Sequence, residues 1–144
     1  ASSFLNGCVL AARSVGAVLI AAVGAALISK RLGAGGAIAA GFLLMAVSLA
    51  TIPNVLSPPL MLLAGLIFGL GFGLVMPNFY SDLADLSADS QRSGILAIGT
   101  GCASLGLFVS PLIFGPVWAS VGTNMFYVAA VTAIIVGCLS WLRR

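Results

Sequence analysis

Arg13 is the charged side chain that falls well inside an apolar run of this chain, about five residues from the start of that run. A guanidinium at membrane depth is costly and marks a functional hypothesis. It can snorkel to the nearer headgroups on its flexible stem, or it can form the basic mouth of a cavity that draws in an anionic or carbonyl-bearing solute. The other charges stand between or after the apolar runs: Lys30 and Arg31, then Asp82, Asp85, Asp89 and Arg92, then Arg143 and Arg144. The polar groups Asn78, Tyr80, Thr100, Ser104 and Ser110 lie within the runs, where a hydroxyl often bonds its own helix backbone. There is no histidine, so neither a Ser/His nor a Cys/His nucleophile pair can be built. Cys8, Cys102 and Cys138 are too scattered for a zinc or iron site and read as buried free thiols. No enzymatic chemistry, cofactor or metal is expected. No carboxylate lies deep in any run, so a proton-coupling acid would have to come from elsewhere in a longer chain.

The elements that position these residues follow from composition. The chain has 144 residues, 61% of them apolar, with a mean hydropathy of +1.22. Only 6% are charged, against roughly 25% in a soluble domain. Lipid or other protein must therefore be the solvent for most of the chain. The net charge of +3 is spread along the sequence and offers no nucleic-acid surface. Five continuously apolar segments approach the roughly 20 residues that a membrane helix needs: about 8–29, 35–52, 59–80, 93–118 and 123–142. They do not alternate as barrel strands would, and helices satisfy their own backbone in lipid. The expectation is an all-α membrane protein of five transmembrane helices in a single domain, 1–144. The chain begins at Ala1 without a signal peptide and reads as a piece of something longer.

Five of the six basic residues fall on one side of an alternating five-span path: Lys30, Arg31, Arg92, Arg143 and Arg144. The positive-inside rule makes that side cytoplasmic. The C-terminus is then inside, Arg13 lies toward the outer face, and the protein is expected in the plasma (inner) membrane.

Gly65, Gly69 and Gly73 recur every fourth residue and share one face of the third span, a groove for close helix packing. Gly94, Gly99, Gly101, Gly106 and Gly115 mark the fourth span, for tight packing or for sliding against a neighbour. Pro77, Pro111 and Pro116 lie in or at the ends of spans, with Pro111 the expected kink.

A faint internal echo relates Ser14-Val15-Gly16 to Ser104-Leu105-Gly106, 90 residues on. Ser29-Lys30-Arg31-Leu32-Gly33 keeps the R-x-G of a short loop motif, G-x-x-x-D-R-x-G-R, with Ala26 and Lys30 replacing its first Gly and its Asp. Further matching stretches are Gly69-Leu70-Gly71-Phe72-Gly73-Leu74-Val75-Met76-Pro77, Ser90-Gln91-Arg92-Ser93-Gly94 and Leu105 to Leu112. On these residues the chain resembles the C-terminal half of a major facilitator superfamily transporter, helices eight to twelve. The resemblance implies part of a six-helix transporter bundle whose partner is an N-terminal bundle of the same chain. It implies that the first, third and fourth spans line a central cavity, placing Arg13, Asn78, Tyr80, Thr100 and Ser104 as substrate-binding candidates. It also implies a cytoplasmic gate at Lys30, Arg31, Asp82, Asp85 and Arg92, with Arg31 bonding a carboxylate or a helix C-terminal carbonyl when the gate is closed.

The function expected is secondary transport of a small solute by alternating access, in the direction of efflux of a small organic molecule. The partners are the lipid bilayer and that solute. The alternatives are a five-helix repeat of a drug/metabolite-type carrier and a non-transporting packing or assembly protein.

Overall fold

Continuous apolar runs with no alternation fold here as helices throughout. The computed structural model describes residues 3–55 and 57–142, and no strand occurs among them. Arg143 and Arg144, which carry part of the expected cytoplasmic charge, lie outside the described residues. The elements are α1 (Ser3–Leu19), α2 (Ala25–Thr51), α3 (Pro58–Asp85), α4 (Arg92–Val121) and α5 (Met125–Leu142). A π-helical turn, Ile20–Gly24, joins α1 to α2, and single 3-10 turns, Ile52–Asn54 and Gly122–Asn124, precede α3 and α5.

Three helical segments are long and apolar enough to cross a membrane: Ser3–Asn54, Pro58–Asp85 and Arg92–Leu142, with mean hydropathies of 2.0, 2.2 and 2.1. The first and last are not straight rods. Gly33 sits inside α2 at φ 72°, ψ 168°, and Gly122 follows α4 at φ 57°, ψ −133°. Side chains other than glycine's avoid both conformations. Each glycine interrupts the helical path, so the three segments divide into five helical arms.

The helix ends depart from the apolar runs. The first arm starts at Ser3 and carries Lys30 and Arg31 in helical conformation up to the break at Gly33. α3 begins at Pro58-Pro59, whose ring-fixed φ suits a first turn. It then continues past Tyr80 to Asp85.

α3 is the centre of the packing. Gly65, Gly69 and Gly73 face α1. A Cβ on Gly69 would collide with the Arg13 carbonyl, and one on Gly73 with the Ala17 carbonyl. The reverse face carries Gly71, where a Cβ would lie 2.5 Å from the Gly41 carbonyl of α2. Missing Cβ atoms thus bring two helices against the α3 backbone from two sides, the main source of helix association where lipid removes the hydrophobic drive. Leu74, 1% exposed, packs between Ala25 and Ala37, on either side of the Gly33 break. A second cluster joins Ile38, Met45 and Val75, with Phe42, Phe68 and Phe72 packed around it. α5 packs along α2, where Gly137 meets Phe42.

α4 stands apart. Its one buried residue is Gly99, against the Leu83 side chain of α3. Gly94, Gly101, Gly106 and Gly115 have no heavy atom within 4 Å of where a Cβ would be, so the expected packing of these glycines is not found. α4 stays helical through Pro111, where a kink is expected, and through Pro116, to Val121. A π-helical turn occurs at Ile20–Gly24, where Gly24 leaves room for the Ile20 side chain. Cys102 and Cys138 are exposed rather than buried, because an apolar run does not reveal which of its faces meets protein; all three thiols are free.

Candidate functional site: an arginine cleft

The α1–α3 contact that the glycines permit also places Arg13. With no Cβ on Gly69, the Arg13 backbone lies directly on α3. Phe68 and Phe72 flank that contact one turn apart, on one face of α3. The Arg13 guanidinium carbon lies 5.2 Å from the Phe68 ring centroid and 5.1 Å from that of Phe72. Cation–π contacts of this kind contribute about 0.5–2 kcal/mol each. No carboxylate or carbonyl hydrogen-bonds or pairs with the guanidinium among the described residues.

Arg13 lines a cleft of about 600 Å³ between the start of α1, the end of α2 and the start of α3. Its walls are apolar, with Leu10, Leu49, Ile52, Met61 and Phe126 among them, and its polar side chains are Asn6, Arg13 and Ser48. The Ser48 hydroxyl is 1% exposed and donates to the Ala64 carbonyl at 2.6 Å, clipping α2 to α3 at the cleft wall. Ser48→Ala should lower unfolding stability in mixed micelles by about 0.6–1.7 kcal/mol, the range of interhelical side-chain bonds in lipid, and leave helix content unchanged by circular dichroism. Nearby, Asn54 Nδ2 donates to the Tyr127 hydroxyl at 2.8 Å, holding the end of α2 to α5.

A second cleft, about 570 Å³, opens at the other end of α3. It is lined by Gly33, Phe42, Met76, Phe79, Asp82 and Ser140. Asp82 is its charged residue and is half-buried.

Of the substrate-binding candidates, only Arg13 lines the first cleft. Asn78 is buried, and its side-chain amide donates to the Leu74 carbonyl of its own helix at 2.7 Å. Thr100 bonds the Leu96 carbonyl at 2.9 Å and is exposed, as is Ser104 on the bare surface of α4. Tyr80 is half-buried, edge-on to Phe79 at 5.4 Å. The five are therefore not gathered at one site. Among the gate candidates, Arg92 and Asp85 approach to 3.9 Å with both side chains substantially exposed, a pairing of small energetic consequence. Lys30 and Arg31 are exposed and form no ion pair among the described residues, so the expected Arg31–carboxylate contact is not made in this conformation.

Sequence reasoning missed Phe68, Phe72, Asn6 and Ser48. The available signal was an aromatic pair spaced by four on either side of a glycine, which places two ring faces where a neighbouring helix must pass close.

No family model, curated protein or solved structure matches the chain.

Proposed function

We propose that this chain is part of a secondary transporter that moves a small organic solute across a membrane by alternating access. Support comes chiefly from the two clefts, of about 600 and 570 Å³, at opposite ends of α3. Between them the helix is closed by Gly69, Gly71, Gly73 and the buried Leu74. A carrier needs a half-site toward each face of the membrane, separated by a waist that can slide. Helices meeting through glycines present smooth backbone at that waist. The resemblance to the C-terminal half of a major facilitator superfamily carrier agrees with this reading. So does the bare face of α4, which suits a partner bundle from the same chain. In this proposal the five arms are five spans of the plasma (inner) membrane. Lys30, Arg31 and Arg92 lie at the cytoplasmic face, the C-terminus is inside, and transport runs as efflux.

Paired thiols test the alternation and the sidedness together. With Cys8, Cys102 and Cys138 replaced by serine, cysteine is placed at Met61 in the Arg13 cleft and at Met76 in the Asp82 cleft. An impermeant maleimide should reach Met61→Cys from outside and Met76→Cys only in inside-out vesicles. Alkylating Met61→Cys with a bulky maleimide props its cleft open and should slow the reaction of Met76→Cys by about fivefold, a coupling of about 1 kcal/mol. An unchanged rate at Met76→Cys removes alternation. Labelling of Met61→Cys from the cytoplasmic side reverses the orientation.

A further inference from the structure

The Arg13 cleft has the chemistry of a receptor for one anionic head on an apolar body. Of the chain's three acidic residues, Asp82 lines the opposite cleft and Asp85 and Asp89 follow it in sequence, and none lines this one, so the charge that Arg13 brings is uncompensated here. Phe68 and Phe72 attract the cation through their ring faces. A phenyl ring does not substitute for a carboxylate as acceptor of the coplanar N–H groups of a guanidinium, which form a fork matched to two oxygens. The rings hold the fork in place and leave its donors to a ligand. Preorganisation of this kind lowers the cost of binding. The Ser48 hydroxyl proton is already committed to the Ala64 carbonyl, so Arg13 is the dominant donor in the cleft. Everything else that a ligand would touch is aliphatic, thioether or aromatic, apart from Asn6. The volume, about 600 Å³, falls among small-molecule sites.

We infer that this cleft binds an amphiphilic organic monoanion, a carboxylate or similar head on a chain or ring of moderate length, taken from solution. The inference rests on the transport reading for its purpose and not for its test. A single cation selects one negative charge: a dianion leaves charge uncompensated against apolar walls, and an organic cation meets Arg13 as a like charge. A neutral analogue fills the walls but leaves the guanidinium without its counter-ion.

Decanoate is the probe. The full chain is reconstituted in phosphatidylcholine nanodiscs, and equilibrium binding of labelled decanoate is compared with that of decanol and decyltrimethylammonium. Decanoate should bind saturably and about tenfold or more tighter than either, one decade being the loss of a single charge-assisted contact. Arg13→Gln should weaken decanoate by a similar factor without changing decanol, and Arg13→Lys should fall between, keeping charge but not the fork. Because Arg13→Gln also loses the contacts to Phe68 and Phe72, the unmodified chain supplies a second readout. The Arg13 side-chain nitrogen resonance should shift on adding decanoate and stay put on adding decanol. Equal affinity for decanoate and decanol, or an Arg13 signal blind to decanoate, overturns the inference. Admixing phosphatidylglycerol should leave decanoate affinity intact. Abolition of Arg13-dependent binding by that lipid would assign the cleft to a headgroup and overturn the soluble source. Since binding is read without flux, decanoate recognition in a chain whose clefts do not alternate would remove the transport reading alone.

Discussion

Gly69→Val is expected to part α1 from α3. The added Cβ would fall on the Arg13 carbonyl oxygen, with the Arg13 carbonyl carbon and Cα close behind. All three are backbone atoms, so no rotamer change relieves the clash and the helix itself must move. Overpacking ordinarily costs about 1–3 kcal/mol, and a collision with backbone should reach the upper end. The same shift carries Arg13 off Phe68 and Phe72, adding the loss of their cation–π contacts. The midpoint of unfolding in mixed micelles should fall steeply, and decanoate binding should fall with it. Gly7 provides the comparison on the partner helix, because nothing lies within 4 Å of its Cβ position. Gly7→Ala should hold or raise the midpoint, since alanine removes a helix penalty of about 1 kcal/mol. Equal midpoints for Gly69→Val and Gly7→Ala would show that α1 and α3 do not meet at this point.

The same pair of helices shows where sequence was a sufficient guide and where it was not. Spacing by four put Gly65, Gly69 and Gly73 on one face without any knowledge of the partner, because the period belongs to the helix alone. Identifying the partner, and hence Arg13 on Phe68 and Phe72, requires knowing which face of α1 arrives there. α1 gathers Asn6 and Arg13 on one side, seven residues apart, but in a mostly apolar helix this does not say which neighbour arrives there. Cys102 and Cys138 were misread for the same reason: in lipid an outward residue is as apolar as a core one. The isolation of α4 was equally hidden, since Gly94, Gly101, Gly106 and Gly115 resemble packing glycines whether or not a helix covers them. Thr100 and Ser104 were gathered with Arg13 only through a family picture of which spans line a cavity. In this structure the first turns to its own backbone and the second lies on the bare α4 surface. Charge does not by itself end a helix, so the helix ends lie beyond the apolar runs. Lys30 and Arg31 continue one, since leaving the apolar run does not unmake backbone hydrogen bonds. The helical path ends where Gly33 turns it.

Gly33→Ala should therefore be the second most damaging exchange, for a reason opposite to that at Gly69. No atom need clash; the conformation itself is the obstacle. At φ 72°, ψ 168°, Gly33 occupies a region essentially reserved for glycine, and another residue held there is strained by about 1–3 kcal/mol. Alanine is also the best helix former and favours the straight path by about 1 kcal/mol over glycine. Both effects favour one continuous helix over Ser3–Asn54, whose 52 residues would span ~78 Å at 1.5 Å per residue. A membrane core of about 30 Å cannot hold it upright. Straightening also withdraws Ala37 from Leu74 and Ala25, which meet only because the chain doubles back at Gly33. The expected result is a large loss of stability with helix content by circular dichroism unchanged or raised, the reverse of ordinary unfolding. Gly33→Asn should not restore the parent's stability, because asparagine's tolerance of positive φ is confined to the left-handed helical region and does not extend to ψ 168°. A Gly33→Ala chain as stable as the parent would mean that the two arms are held together by packing strong enough to impose the turn on any residue. Gly33 would then be a convenience of the loop rather than its cause.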